Sequence, residues 1–155
     1  LGVDNSLVFS ADRRNGYQLA LTRHGIVPKP EYCVELPSIT AGEDTPVHAL
    51  LRSASRPTAI VVSDDILALT LERICTETGL SIPADLSILS FNNSLFARLT
   101  SPQLTSIDIN SCQLGIEAAA QMISHLENPE LPATKILVPH QLIERDSCAR
   151  PVSHS

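Results

Sequence analysis

Residues 57–109 read PTAIVVSDDILALTLERICTETGLSIPADLSILSFNNSLFARLTSPQLTSIDI. Residues 58–62 and 86–91 are apolar runs of strand length without strict alternation. Such runs suit strands covered on both faces, as in a parallel sheet flanked by helices. Between them Leu67, Leu71, Ile74 and Cys75 recur at i, i+4, i+7 and i+8, which predicts a helix with one buried stripe. Asp64 is its expected N-cap and Asp65 a first-turn residue, positions where orphan amides and the helix dipole favour carboxylates. Gly79 is the expected left-handed terminator, with Pro83 beyond it. A third strand is predicted over 104–109, where Leu104, Ser106 and Asp108 alternate with Thr105, Ile107 and Ile109. Its polar positions suggest a sheet edge. Polar clusters follow the first two strands: Ser63-Asp64-Asp65 and Asn92-Asn93-Ser94. Ligands of parallel α/β sheets bind beyond the carboxyl ends of strands, so these clusters are the first candidates for a binding site.

Upstream, residues 1–10 read as irregular or as a frayed strand end. Ser10 is the expected N-cap of a helix over 11–24, with Gly25 just past its end and Pro28 at the exit. Arg13 and Arg14 then fall in the first turn, where the dipole disfavours cations; one of them pointing at a ligand would be a reason to place it there. A short strand over 33–36 and a polar connection over 37–44 follow. Thr45 with Pro46 is a strong helix start, and that helix, carrying His48 on its surface, ends before Arg56-Pro57. Downstream, Asn110 with Gln113 resembles a capping box opening a helix to about residue 127, stopped by Asn128-Pro129. Leu114, Ala118, Met122 and Leu126 share one face of it. Two short strands, 135–138 and 141–144, are predicted around Pro139, and 151–155 read as a disordered tail. Alternation of strand and helix gives an α/β class with a largely parallel sheet.

The chain has 155 residues, 43% hydrophobic and only 3% aromatic, enough for one domain with an aliphatic core. Its net charge is −6, and Lys29 and Lys135 are its only lysines, so it lacks the basic surface that phosphate contacts with nucleic acid need. No run approaches the roughly 20 apolar residues of a membrane span, and no stretch of the given sequence reads as a signal peptide. The opening LGVDN, without a methionine, reads as part of a longer protein. Cys33, Cys75, Cys112 and Cys148 are too far apart for a metal knuckle or redox pair, and three of them, in apolar periodic segments, read as small apolar residues. Glycine-rich phosphate loops and a nucleophile elbow are both absent from the sequence. Asp64-Asp65 lacks the lysine partner that phosphoreceiver chemistry requires. Catalysis, a resident cofactor and a metal site therefore have no support.

Both polar clusters have a purely structural reading, as a helix cap and a turn. They also have a binding one. A cap uses one carboxylate of the Asp64-Asp65 pair and leaves the other to accept hydrogen bonds from hydroxyls. An asparagine amide both donates and accepts, as a polyhydroxyl ligand does.

Several stretches, in order, resemble the effector domain of the LacI family of bacterial transcription regulators. Arg13-Arg14-Asn15-Gly16-Tyr17 is similar to the family's R-x-x-G-[YFW]. Residues 56–69 resemble P-T-A-[IVL]-x-x-x-N-D-x-x-A-x-G. Residues 79–87, GLSIPADLS, match G-L-x-[VI]-P-x-D-[VI]-S, the most specific of the set. Ser90-Phe91-Asn92-Asn93 corresponds to G-[FY]-D-D, and residues 102–107 to P-x-L-T-[ST]-[IV]. Leu114-Gly115 and Arg145-Asp146-Ser147 follow in place. The likeness runs from about residue 10 to 151.

The resemblance implies a three-layer, parallel-sheet, periplasmic-binding-protein-like fold, mostly its C-terminal subdomain. Residues 10–109 would form the subdomain core, 111–133 a helical crossing toward a missing N-terminal subdomain, and 134–150 the terminal strands. It implies small-molecule sensing, of a mono- or disaccharide, and dimerisation in a cytoplasmic repressor, with operator DNA contacted only through a helix-turn-helix head outside this chain. Neither an enzyme nor a membrane partner is implied. The alternative is a periplasmic sugar-binding protein of a transport system, which shares the fold. By matched position, Arg13 would be the ligand-binding arginine, Asp64 would stand for the strand-end asparagine, and Asn92 for the aspartate after the aromatic. Acid and amide are thus exchanged between two positions, and hydroxyl recognition survives the exchange. The aromatic platform expected near residues 38–40 is missing. The Phe-Asn-Asn-Ser version resembles maltose-operon repressors.

Overall fold

The computed structural model describes residues 1–2, 8–35 and 46–150, with the backbone alone for Val8 and Phe9. Among these residues the chain forms α1 (Val8–Arg23), α2 (Pro46–Arg52), β1 (Ala59–Val61), α3 (Asp65–Thr78), β2 (Ser87–Phe91), α4 (Leu95–Leu99), β3 (Thr105–Asp108), α5 (Ser111–Glu127) and β4 (Gln141–Ile143). A 3-10 turn, Pro30–Tyr32, follows α1. The strands form one sheet in the order β1-β2-β3-β4. β1, β2 and β3 are parallel, with Ile60 beside Ile88 and Ser90 beside Ser106. β4 runs antiparallel to β3.

The core forms where the sequence places its apolar runs. Ile60, Val62, Leu86, Ile88 and Leu104 from the sheet region meet Leu67, Ala68, Leu71, Ile74 and Cys75 from α3, with Val47 and Leu51 from α2. α3 starts and stops as its residues dictate. Asp64 is extended and its carboxylate accepts from Leu67 N at 2.8 Å. Gly79 takes φ 74°, where a side chain would be strained, and returns its amide to the last turn. His48 on α2 reaches Glu77 on α3 at 3.2 Å across the helix pair. Leu1 lies along the outer edge of β1, giving its amine to Val61 O at 2.7 Å and accepting from Ser63 N at 2.9 Å.

Six expectations are corrected. α1 begins at Val8, so Ser10 is inside the helix and buried instead of capping it; its hydroxyl has no partner. Arg13 is consequently past the first turn, and the dipole argument for its position falls. Residues 33–35 form no strand beyond one parallel bridge, Gly2 with Glu35. β3 is not an edge, because β4 covers it, and its polar side chains are bonded inside the fold. No capping box forms at Asn110, whose φ is 53° and whose side chain makes no cap bond; Gln113 bonds Glu117 instead. Residues 135–138 are not a strand; β4 alone pairs there. The expectations for residues 3–7, for the connection 36–45 with Thr45 and the missing platform, and for the tail 151–155 lie outside the described residues.

Candidate functional site

The carboxyl ends of β1 and β2 lie side by side, since the strands are parallel and in register. β1 is followed by Ser63-Asp64, and β2 by Asn92-Asn93. α1 brings Arg13 across these ends. Its Nη1 donates to Ser63 O, and its Nη2 lies 3.4 Å from Asn92 Oδ1. The guanidinium carbon stands 4.3 Å from the centre of the Phe91 ring, a cation–π distance. Burial pushes the Arg13 pKa down from the ordinary arginine value, and the Asp64 carboxylate partly offsets this. Arginine still keeps its charge in a protein, so the site presents a fixed cation between an acid and an amide.

Arg13, Asp64 and Asn92, the three residues expected from the sequence, line one open cleft of about 540 Å³ with Ile66, Ser94, Phe96 and Ile109. Arg14 is not part of it. It turns to Glu35, at 2.8 Å, as an exposed ion pair. Fixed cation, carboxylate and amide together can exchange hydrogen bonds with a ligand carrying several hydroxyls, and Phe96 and Ile66 offer apolar surface to its carbon faces. A second, more enclosed cavity of about 240 Å³ lies between α1, residues 32–35 and β1. It shares Arg13 with the cleft, and its walls join apolar Val34, Leu50, Ile60 and Val61 to the polar side chains of Arg14, Tyr17 and Glu35. Asp64 and Asn92, the acid and the amide beside Arg13, line the first and not the second.

The expectation that one aspartate of the pair stays free is corrected in part. Asp64 is the cap, through Oδ1, and Ser63 Oγ sits 3.5 Å from its other oxygen. Asp65 is buried and fully engaged: it accepts from Ser90 Oγ at 2.5 Å, Ser106 Oγ at 3.0 Å and Ser94 N at 2.6 Å. Asp65 also lines the cleft, but with both oxygens already bonded, which leaves Asp64 as the carboxylate placed to meet a ligand. Asn93 also turns inward. Its Nδ2 donates to Asp108 at 2.9 Å, and its Oδ1 accepts from Arg145 at 2.5 Å. Sequence reasoning missed this support; its signals were hydroxyls inside apolar strands, at Ser90 and Ser106, and an arginine after the last strand. Among the described residues no group of three or more His, Cys, Asp or Glu could hold a metal. Among the described residues no helix is long and apolar enough to cross a membrane.

Residues 1–148 match the family of periplasmic binding protein-like domains. The chain is 33% identical over 118 residues to the ribose operon repressor of Haemophilus influenzae, covering 76% of this chain and 36% of that protein. It is 29% identical over 137 residues to the catabolite control protein A of Priestia megaterium, covering 88% of this chain and 41% of the relative. Among solved structures, a transcriptional regulator LacI from Bacillus cereus subsp. cytotoxis superposes with a TM-score of 0.88 at 36% identity, over 96% of this chain and 52% of that one. The chain thus spans well under half the length of these curated relatives. The chain belongs to the periplasmic binding protein-like domain family, on the side of it formed by the LacI-type regulators it resembles.

Proposed function

We propose that this chain is the effector-sensing region of a LacI-type transcriptional repressor. It binds a small polyhydroxylated molecule, a mono- or disaccharide, at the ends of β1 and β2. The observation that carries the reading is the convergence of Arg13, Asp64 and Asn92 on one cleft from three separate segments. Arg13 donates from its fork to hydroxyl or carboxylate oxygens, Asp64 accepts from hydroxyls, and Asn92 does both. The Haemophilus influenzae relative is named as an operon repressor and the Bacillus cereus structure as a transcriptional regulator, which favours regulation over the transport alternative. Operator DNA is contacted by residues outside this chain, since a net charge of −6 gives it no phosphate-binding face of its own. The protein works in the cytoplasm as a homodimer, and occupancy of the cleft shifts a conformational equilibrium that alters operator affinity. No catalytic step is assigned.

Isothermal titration with maltose, cellobiose and ribose tests the reading. At least one sugar is expected to release heat with wild-type protein, and Arg13→Ala and Asn92→Ala are each expected to weaken that binding at least about tenfold. Equal heats from wild type and Arg13→Ala would remove that residue from the site. Among the three sugars, a response to maltose alone would support the maltose-operon type.

A further inference from the structure

Asn92 and Asn93 both hold positive φ, 94° and 47°. Two consecutive non-glycine residues in that region are disfavoured by the contact of Cβ with the backbone, so surrounding bonds must hold the turn. Each of its three successive amides has its own acceptor, on a different group. Asn92 N donates to Ile107 O at 2.8 Å, Asn93 N to Ser106 Oγ at 3.0 Å, and Ser94 N to Asp65 Oδ2 at 2.6 Å. The hydroxyl that holds Asn93 N is itself tied to Asp65 Oδ1 at 3.0 Å. From the chain after β4, Arg145 then grips both the turn and the strand start: Nη2 to Asn93 Oδ1 at 2.5 Å and Nη1 to Leu104 O at 2.6 Å. Asn93 is thereby held on both sides of its amide, by Arg145 and by Asp108.

We infer that Asp65 and Arg145 are positioning residues of the effector cleft: through Ser106 and Asn93 they hold the left-handed turn that aims Asn92 at Arg13. The inference rests on the reading of Asn92 as an effector contact, but the clamp is measurable without a ligand. The two asparagines divide the labour. Asn93 is spent on anchoring the turn, and Asn92 is left pointing into the cleft. A site built this way recognises hydroxyls with a fixed amide, so ordering it costs little when ligand arrives.

The test compares Arg145→Gln, Arg145→Lys and Ser147→Ala with wild type. Ser147 is the control, because its buried hydroxyl ties Thr105 N to Ile88 O within the sheet and does not reach the turn. Amide hydrogen exchange followed by NMR reads the clamp. Asn93 and Ser94 amides are expected to exchange slowly in wild type and about tenfold faster in Arg145→Gln. Arg145→Lys, which keeps the charge but has one donor nitrogen in place of two, restores part of the protection. Ser147→Ala lowers the unfolding midpoint without selectively exposing Asn93. Titration with maltose, cellobiose and ribose reads the consequence: affinity falls about tenfold in Arg145→Gln and is unchanged in Ser147→Ala. Unprotected wild-type amides, equal loosening in Ser147→Ala, or unchanged sugar affinity in Arg145→Gln would each overturn the positioning role. If the amides respond as stated while no sugar binds wild type, the clamp stands and the effector assignment falls.

Discussion

α3 and α5 are both helices with an apolar stripe, 14 and 17 residues long, and they have opposite fates. α3 buries Leu67, Ala68, Leu71, Ile74 and Cys75 against the sheet and α2. α5 buries nothing among the described residues, and leaves Leu114 41% and Leu126 75% exposed. The periodicity of a sequence states which face of a helix is apolar. It does not state what covers that face. The difference implies that the stability of this chain resides in the α2–α3–sheet half, and mutations in the two helices should separate sharply.

The largest separation comes from truncating a buried stripe residue. Leu71 is fully buried, so Leu71→Ala should cost about 2–5 kcal/mol, the removed methyl groups and the cavity both contributing. Urea unfolding followed by circular dichroism measures it. A loss below about 1 kcal/mol would mean that the α3 face is loosely packed and that the contrast with α5 is one of degree. A step smaller is the end of α3. Gly79 adopts φ 74° with open space where a Cβ would stand, so Gly79→Ala meets only backbone strain. About 1 kcal/mol of destabilisation is expected by the same unfolding measurement. A neutral result would show that the cap relaxes freely.

The legibility of the sequence divides along similar lines. The β1–α3–β2 unit could be read because each element carries its signal locally: an unbroken apolar run, a cap at Asp64, a stripe, a glycine at the end. β3 could not be placed, because alternation makes a hydroxyl that faces water look the same as one that faces a buried partner. Ser106 bonds Asp65, 41 residues away in sequence, and no local pattern announces that. At the site, family motifs picked out Arg13, Asp64 and Asn92, and all three meet in the cleft. The pair Asp64-Asp65 was misjudged for the same reason as β3. Which aspartate is free depends on serines supplied by distant strands.

Within α3 itself one residue cuts across the contrast. Glu72 sits on the helix that carries the core, yet one carboxyl oxygen is buried without a partner, and burial pushes its pKa up to about 7. The folded chain therefore binds a proton more readily than the unfolded chain between its ordinary value of 4.5 and about 7. Stability should fall as pH rises through that window, the reverse of a salt-bridged carboxylate. Glu72→Gln removes the dependence and, with solvent screening of a half-buried group, should stabilise the chain by on the order of 1 kcal/mol at pH 8 and little at pH 4. Unfolding midpoints at the two pH values decide it: a pH-independent difference between the two proteins would show that the effect of Glu72 is steric.

The smallest expected effect is the one that tests the contrast most directly. Leu126 and Met122 lie on the α5 face, 75% and 62% exposed. A side chain that stays in water in both folded and unfolded states contributes little to their difference, so Leu126→Gln should change stability by less than about 0.5 kcal/mol. Helix propensity works the same way, since leucine and glutamine are close on that scale. The measurement is the same urea titration, run beside Leu71→Ala on one preparation. A loss of 2 kcal/mol or more at Leu126 would mean that the α5 stripe is packed in solution. The two helices would then differ in what covers them and not in how much they bury. Repeating the titration at several protein concentrations separates the two ways of covering it. A loss that grows with concentration places the cover on another copy of the chain; a constant loss places it within the chain.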